Sequence, residues 1–367
     1  MKLALRELRR RPGRFAVAGV ILTLIGILLM FLGGLLDGLV AGSTGALRAQ
    51  RGELMVFSST SQESLTRSRI TPEVRTAVEN EVGKDHVAGL ANVQLGARLD
   101  GRDPRDLVAV VLFGYERAPT GLPDTAPEPG KVYADESLRG EGISEGTVLR
   151  LGPARSEVTV VGFLADSQYS GQGSLWGSLD TWRQVLGDNR PGERVGPGVV
   201  QALVIHGVAP APESIDGVTD GATSTLTIEG AIDALPGVAQ QKSVFNQILG
   251  VTVMIAIVVV ALFFALITVE RTGLYGVLKA MGAKSRTLFL GVVVQAMVVT
   301  LVASAIGAAA SLALAAAIPA GSIPFLATPA RLLNSVAYLV FAALLGCAFS
   351  LRRVLRVDPA SAIGGEQ

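Results

Sequence analysis

The chain has 367 residues, 49% of them apolar and only 17% charged, with a mean hydropathy of +0.47. Soluble globular chains carry about 25% charged residues, so the deficit argues against an entirely soluble architecture. A net charge of +1 gives no electrostatic support to a nucleic-acid partner, and none is expected. The single cysteine, Cys347, leaves no intrachain disulfide and no Cys-rich metal site; His86 and His206 lie far apart in sequence. No metal site is expected.

The first element, 1–14, carries Lys2, Arg6, Arg9, Arg10, Arg11 and Arg14 and reads as a cytoplasmic interfacial helix. The run Phe15–Leu36 follows, 22 residues without a charge. At about 1.5 Å per residue it reaches roughly 33 Å, enough for a hydrocarbon core about 30 Å thick. It is too long for the apolar part of a cleaved signal, so a retained span is expected. Gly19, Gly26 and Gly33 recur every seven positions along it. Such a small-residue face allows close helix packing, either within one subunit or as a dimer face.

From 37 to 247 the composition becomes that of a soluble α+β domain. Strand-like runs occur at Leu54–Phe57, Leu107–Phe113 and Ala202–Ile205, and a hairpin at Thr147–Leu151 and Glu157–Phe163. Helices are expected at Thr71–Val82, with Pro72 in the first turn, and at Ser178–Leu186. The Pro/Gly-rich stretches Ala118–Lys131 and Gly187–Gly198 read as loops, and the Ser/Gly/Gln loop Asp166–Ser174 as a mobile one. Trp176 and Trp182 read as core or interface aromatics. Asp135, Glu136, Glu141 and Glu145 read as a solvated carboxylate surface and not as an acid–base pair.

Three further spans are expected at 248–269, 288–318 and 332–351. The third has Gln295 as its only strongly polar side chain, and the fourth contains Asn334 and Cys347. A short external loop, 319–331, joins them, and 352–367 is a tail. With four spans, the N-terminal segment, the 270–287 link and the tail share one side, holding 13 basic and four acidic residues. The positive-inside rule then makes both termini cytoplasmic. The fold expected is an α-helical membrane protein of four transmembrane helices, with a large extracytoplasmic α+β domain inserted between helices 1 and 2.

No span interior contains an Asp, Glu, Lys, Arg or His side chain, although ion-coupled transporters usually place such groups near the midplane. No GxxxxGK[ST] sequence occurs, and although Gly142-Ile143-Ser144-Glu145-Gly146 has the letters GxSxG, neither histidine has a nucleophile paired with it in sequence, so no ATPase site and no catalytic residue is expected in this chain. The energy source is therefore expected on another protein. The link reads ERTGLYGVLKAMGAKSRT, in which Leu274, Val277, Leu278 and Met281 form one apolar stripe at helical spacing. Lipid would accept this stripe, as would a groove on a soluble partner.

The Glu-Arg-Thr opening of the link, followed by Gly-Val-Leu-Lys-Ala-Met-Gly-Ala, resembles the cytoplasmic signature of MacB/FtsX-type ABC transporter permeases. The tail Arg356-Val357-Asp358-Pro359-Ala360, the hairpin Thr147–Phe163 and the start Ala4-Leu5-Arg6-Glu7-Leu8 are similar to that family as well. The resemblance implies a homodimer in a bacterial plasma (inner) membrane, bound to two cytoplasmic ATPase subunits that hold ATP and Mg. It implies a coupling helix with Leu274, Val277, Leu278 and Met281 as docking face and Glu270 and Arg271 as polar contacts at its start. The cargo implied is amphipathic: lipid, peptide, drug or haem. The alternative is a mechanotransmission permease that moves nothing and, through an extracytoplasmic partner protein, regulates a cell-wall hydrolase. The N-terminal half also resembles haem-exporter permeases of the HrtB type, which singles out Met30 as a candidate haem or substrate contact.

Overall fold

The computed structural model describes residues 12–103, 105–270, 281, 285–317 and 324–354. It divides into two compact units, Met1–Asp37 with Lys242–Gln367, and Gly38–Gln241. Helix α1 runs unbroken from Pro12 to Arg48 and contributes residues to both.

The inserted unit continues with β1 (Leu54–Ser58), α2 (Pro72–Val82), β2 (Val87–Leu99), β3 (Val108–Tyr115), β4 (Lys131–Asp135), β5 (Val148–Leu151) and β6 (Ser156–Leu164). It ends with β7 (Gly173–Ser178), α3 (Leu179–Asn189), β8 (Ala202–Ile205), α4 (Pro212–Val218), β9 (Thr223–Thr227) and α5 (Ile228–Asp233). Strands β9, β1, β8 and β2 form an antiparallel sheet in that order, and α2 packs against α4. With its helices this is a β-α-β-β-α-β arrangement. Strands β3 to β7 and helix α3 are inserted between its second and third strands. They close a six-stranded ring in the order β2, β3, β7, β4, β6, β5. The 13-residue β2 belongs to both parts, pairing with β8 at Val87–Leu90 and with β5 at Ala97–Leu99.

Both faces of the central strands are covered. On β1, Leu54 and Val56 enter one apolar cluster while Met55 and Phe57 enter another. Strand β3 alternates in the same way, with Val110 and Leu112 against Val111 and Phe113. Strands buried on both faces read as continuous apolar runs, which is why these two stand out in the sequence. Trp176 and Trp182 are fully buried in opposite clusters, Trp176 stacked on Phe113 with centroids 4.5 Å apart. Ser178 caps α3, its hydroxyl accepting from Thr181 N at 3.2 Å, and Pro72 opens α2 behind its cap Thr71.

Asp135 departs from expectation. Its carboxylate is buried, 2% exposed, whereas Glu136, Glu141 and Glu145 are on the surface. The two histidines, distant in sequence, are neighbours: His206 N donates to His86 O at 2.8 Å, and His86 Nδ1 lies 2.7 Å from His206 O. Burial holds the His206 imidazole below its usual pKa; Arg117 acts the same way, while the Arg51 backbone and Glu53 oppose it. The folded chain therefore takes up this proton less readily than the unfolded one. Stability from this site is complete above the unfolded value of about 6.5 and is lost as pH falls through the lowered folded value. Hydrogen exchange of the Ala202–Ile205 strand, corrected for intrinsic rate, should be faster at acid pH than at neutral pH. In His206→Gln the difference should shrink, and an unchanged difference would assign it to other groups.

The membrane unit comprises α1 as far as Asp37 together with α6 (Val238–Glu270, whose first turn lies in the inserted unit), α7 (Ser285–Ala317) and α8 (Pro329–Val354). Among the described residues, four helices are long and apolar enough to cross a membrane, one in each of these elements. They pack through buried clusters such as Leu22, Phe264, Ala296 and Cys347. Close crossings depend on glycine. A Cβ on Gly346 would stand 2.8 Å from Val260 Cβ, and one on Gly307 would meet the α1 backbone at Gly26 and Ile27 within 3.5 Å.

Candidate transmission site

The expected coupling helix lies almost wholly outside the described residues: Arg271, Leu274, Val277 and Leu278 are not among them. Glu270 is the exposed last residue of α6, and the Met281 side chain is 75% exposed.

Within the membrane unit, the glycine stripe of α1 faces the same chain. A Cβ on Gly19 would touch Val299 of α7 at 3.9 Å; on Gly26 it would press on Leu339 of α8 at 3.2 Å. On Gly33 it would stand 2.5 Å from Arg331 Cδ. Of the two uses expected for the Gly19, Gly26 and Gly33 face, packing within the subunit is the one this single chain displays, the space left by the missing side chains being occupied by α7 and α8. Met30 is also enclosed, at 1% exposure, and offers no open surface to haem or substrate.

Gly33 makes room for an ion pair that closes the end of this unit. Arg331 Nε donates to Asp37 Oδ2 at 2.9 Å, and Arg331 Nη2 donates to Asp37 Oδ1. Thr328 Oγ1 caps the start of α8 by accepting from Arg331 N at 3.2 Å. Leu326 N donates to Gly34 O at 3.0 Å, so the segment before α8 is bonded to α1 beside the ion pair. Both charged side chains are largely enclosed, which raises the strength of the pair above that of a solvated one. Nothing in the sequence joins residues 294 positions apart; Asp37 looks like the first polar residue after a span.

Past Asp37 the helix is gripped by the loop that follows β6. Gly171 N donates to Gly42 O, Ser170 N to Ser43 O, and Ala46 N to Gln168 O, each at 3.0 Å. Gly42 O and Ala46 N are the two groups that an α-helix pairs with each other. The loop is therefore spliced into the helical ladder and does not merely lie beside it. Only glycine allows the approach: a Cβ on Gly45 would be 2.5 Å from Asp166 O and 3.0 Å from Gln168 N.

The loop is rigidly based. Asp135 Oδ2 accepts from Ser167 N at 2.8 Å and from Ser167 Oγ at 2.7 Å, while Oδ1 accepts from Ser137 N at 2.9 Å. The chain of contacts continues through the Ser167 and Ser174 hydroxyls to Trp176 Nε1, which donates to Ser174 Oγ at 2.7 Å. Tyr169 packs edge-on against Phe113, and burial pushes its hydroxyl pKa up to about 12. The expectation of a mobile loop at Asp166–Ser174 is corrected on these grounds. Its Ser/Gly/Gln composition supplies hydroxyls for Asp135 and a positive-φ glycine, Gly171, for the turn.

Residues 246–359 match the model of the FtsX-like permease C-terminal family. Over its whole length the chain is 22% identical to a protein of Staphylococcus haemolyticus named as the hemin transport system permease HrtB, with 100% of this chain and 99% of that one covered. It is 25% identical to an uncharacterized ABC transporter permease of Mycobacterium tuberculosis, covering 99% of each. It is also similar to the periplasmic region of MacB from Actinobacillus actinomycetemcomitans at 10% identity, with a TM-score of 0.34, over 50% of this chain and 92% of that one. Among the described residues four helices are long and apolar enough to cross a membrane, with an α+β domain between the first and second; the chain carries an FtsX-like permease C-terminal domain and is similar over its whole length to ABC transporter permeases.

Proposed function

We propose that two copies of this permease bind two copies of a separate cytoplasmic ATPase, and that nucleotide-driven movement of the spans is passed to the inserted unit to extract or export an amphipathic substrate. ATP and Mg belong to the ATPase. The observation that carries this reading is the continuity of α1, one helix with residues in both units, whose far end is spliced into the Gly42–Gly171 backbone contacts. A helix resists bending over its length, so displacement at one end appears at the other. Helix α6 reaches from Val238, buried in a cluster of the inserted unit, to Glu270, where the coupling link begins. The same elements would serve a permease that regulates a partner without moving cargo, and an export assay separates the two.

Haem is one such cargo, supported by full-length similarity to relatives named as hemin transport permeases. With Met30 enclosed, a volume-conserving Met30→Leu exchange should leave haem export within about twofold of wild type, since such swaps cost little. A severe loss would return Met30 to the substrate path.

The orientation in this proposal is tested by labelling. Ser59 lies on the surface of the inserted unit, and the native thiol Cys347 is 1% exposed. Ser59→Cys should react with a membrane-impermeant maleimide in intact cells, above a low background. Labelling that appears only after lysis would reverse the topology.

A further inference from the structure

The inserted unit is acidic: Gly38–Gln241 contain 17 basic and 26 acidic side chains. Against that background an open cleft of about 710 Å³ gathers Arg67, Arg69, Arg190 and Arg194 around one carboxylate, Glu193. Surface arginines in an acidic domain are ordinarily dispersed among carboxylates, so four around one acid is a departure that bulk charge does not explain.

Two of the guanidiniums are held by the backbone. Arg69 Nη1 donates to Thr66 O at 2.9 Å and Ser68 O at 2.8 Å, and Arg190 Nη2 donates to Gln94 O at 3.2 Å. Their supports are fixed as well. Ile70 N and Val200 O pair at 2.8 Å beside Arg69, and Arg190 N closes α3 on Leu186 O at 2.8 Å. Among the described residues the other Arg69 and Arg190 donors meet Glu193, at 3.6 Å from Arg69 Nη2 and 3.5 Å from Arg190 Nη1, while Arg67 Nη2 donates to Gln62 Oε1 at 3.1 Å. Those separations are ion-pair distances and longer than a charge-assisted hydrogen bond. Glu193 is half exposed and shared between two cations without engaging either fully. Burial lowers the Arg69 pKa; Glu193 opposes that shift, and the neighbouring Arg190 charge adds to it, so the two cations repel each other beside their shared carboxylate.

Arg194 also donates to Gly187 O at 3.5 Å, and cations suit the carboxyl end of a helix such as α3. That accounts for Arg190 and Arg194. It does not account for Arg67 and Arg69, which come from the segment before α2.

We propose that this cleft binds a phosphate-bearing ligand, whose oxygens bridge the guanidiniums of Arg69 and Arg190 with Arg67 and Arg194 at the rim. After Glu193 is counted, the cleft keeps an excess of three positive charges, which a single carboxylate leaves mostly unbalanced and a doubly charged phosphate matches better. Arginine's planar fork suits phosphate oxygens in pairs. The ligand's oxygens compete with Glu193, so the internal carboxylate weakens binding.

The test is calorimetric titration of the full-length, detergent-purified protein with inorganic pyrophosphate. Saturable binding is expected, weakened about tenfold or more by Arg69→Gln or by Arg190→Gln. Glu193→Gln, on the surface and removing only the competing charge, should tighten binding several-fold. Lys84→Gln, an exposed change elsewhere on the same unit, should leave it unchanged. A short-chain phosphatidic acid that competes with pyrophosphate would identify a lipid headgroup as the source, and failure to compete a soluble phosphate. Absence of saturable binding, an equal loss in Lys84→Gln, or no tightening in Glu193→Gln overturns the proposal.

Discussion

Gly45→Val is expected to uncouple the permease: ATP hydrolysis persists while export falls at least tenfold. The added Cβ would lie 2.5 Å from Asp166 O, with Asp166 C and Gln168 N at 3.0 Å, all backbone atoms that no rotamer change can move. The loop cannot retreat freely, because Ser167 is tied to the buried Asp135 and Gln168, Ser170 and Gly171 are bonded to α1. Overpacking of this kind costs about 1–3 kcal/mol. Losing the three backbone bonds adds about 0.5–1.5 kcal/mol for each. The sum is enough to open the splice in most molecules while leaving the sheet and the membrane helices intact. Hydrolysis and export measured in the same proteoliposomes, with the partner ATPase present, separate coupling from assembly. Export at the wild-type rate in Gly45→Val would show that the splice carries no force.

The parts of this fold that are legible in the sequence are those whose burial is uniform. The spans are long apolar runs because lipid surrounds them, and β1, β3 and β8 are short ones because both their faces are covered. Strand β2 was not legible. Gly89, Asn92, Gln94 and Gly96 interrupt its apolar pattern, and each glycine answers a tertiary contact. A Cβ on Gly89 would stand 2.8 Å from Val200 Cγ1 and 3.1 Å from the Glu116 carboxylate, whose Oε2 accepts from Gly89 N at 2.6 Å. Such positions look like turns until the neighbouring chain is known. The transmission site was hidden for a related reason. Asp135 has the appearance of one surface carboxylate among several, and only the fold brings Ser167 to it from 32 positions away. The Gly-Ser-Thr-Gly sequence at 42–45 was the available signal, a cluster of small residues directly after an apolar span. The glycine stripe of α1 was legible as a packing face, and its partner was not, because lipid, a second subunit and α8 all accept the same pattern.

Val277→Asp is expected to release the ATPase while leaving expression and membrane insertion nearly intact. The stripe Leu274, Val277, Leu278 and Met281 begins just past the end of α6, in a basic link with no other apolar surface to cover it in sequence. A bare lipid surface and a protein groove both accept such a stripe, and a charge at its centre distinguishes them. Burying one such side chain contributes about 1.5–3 kcal/mol, and an unpaired charge in a dry groove costs more than that contribution. A helix lying on the membrane could instead roll and bring the carboxylate to water. The direct measurement is co-purification of the ATPase with the variant permease, together with the ATP hydrolysis rate of the reconstituted complex. Loss of both, with the permease still in the membrane, is the predicted result. A full complement of ATPase and a wild-type rate would contradict the account that this chain is driven through its α6–α7 link.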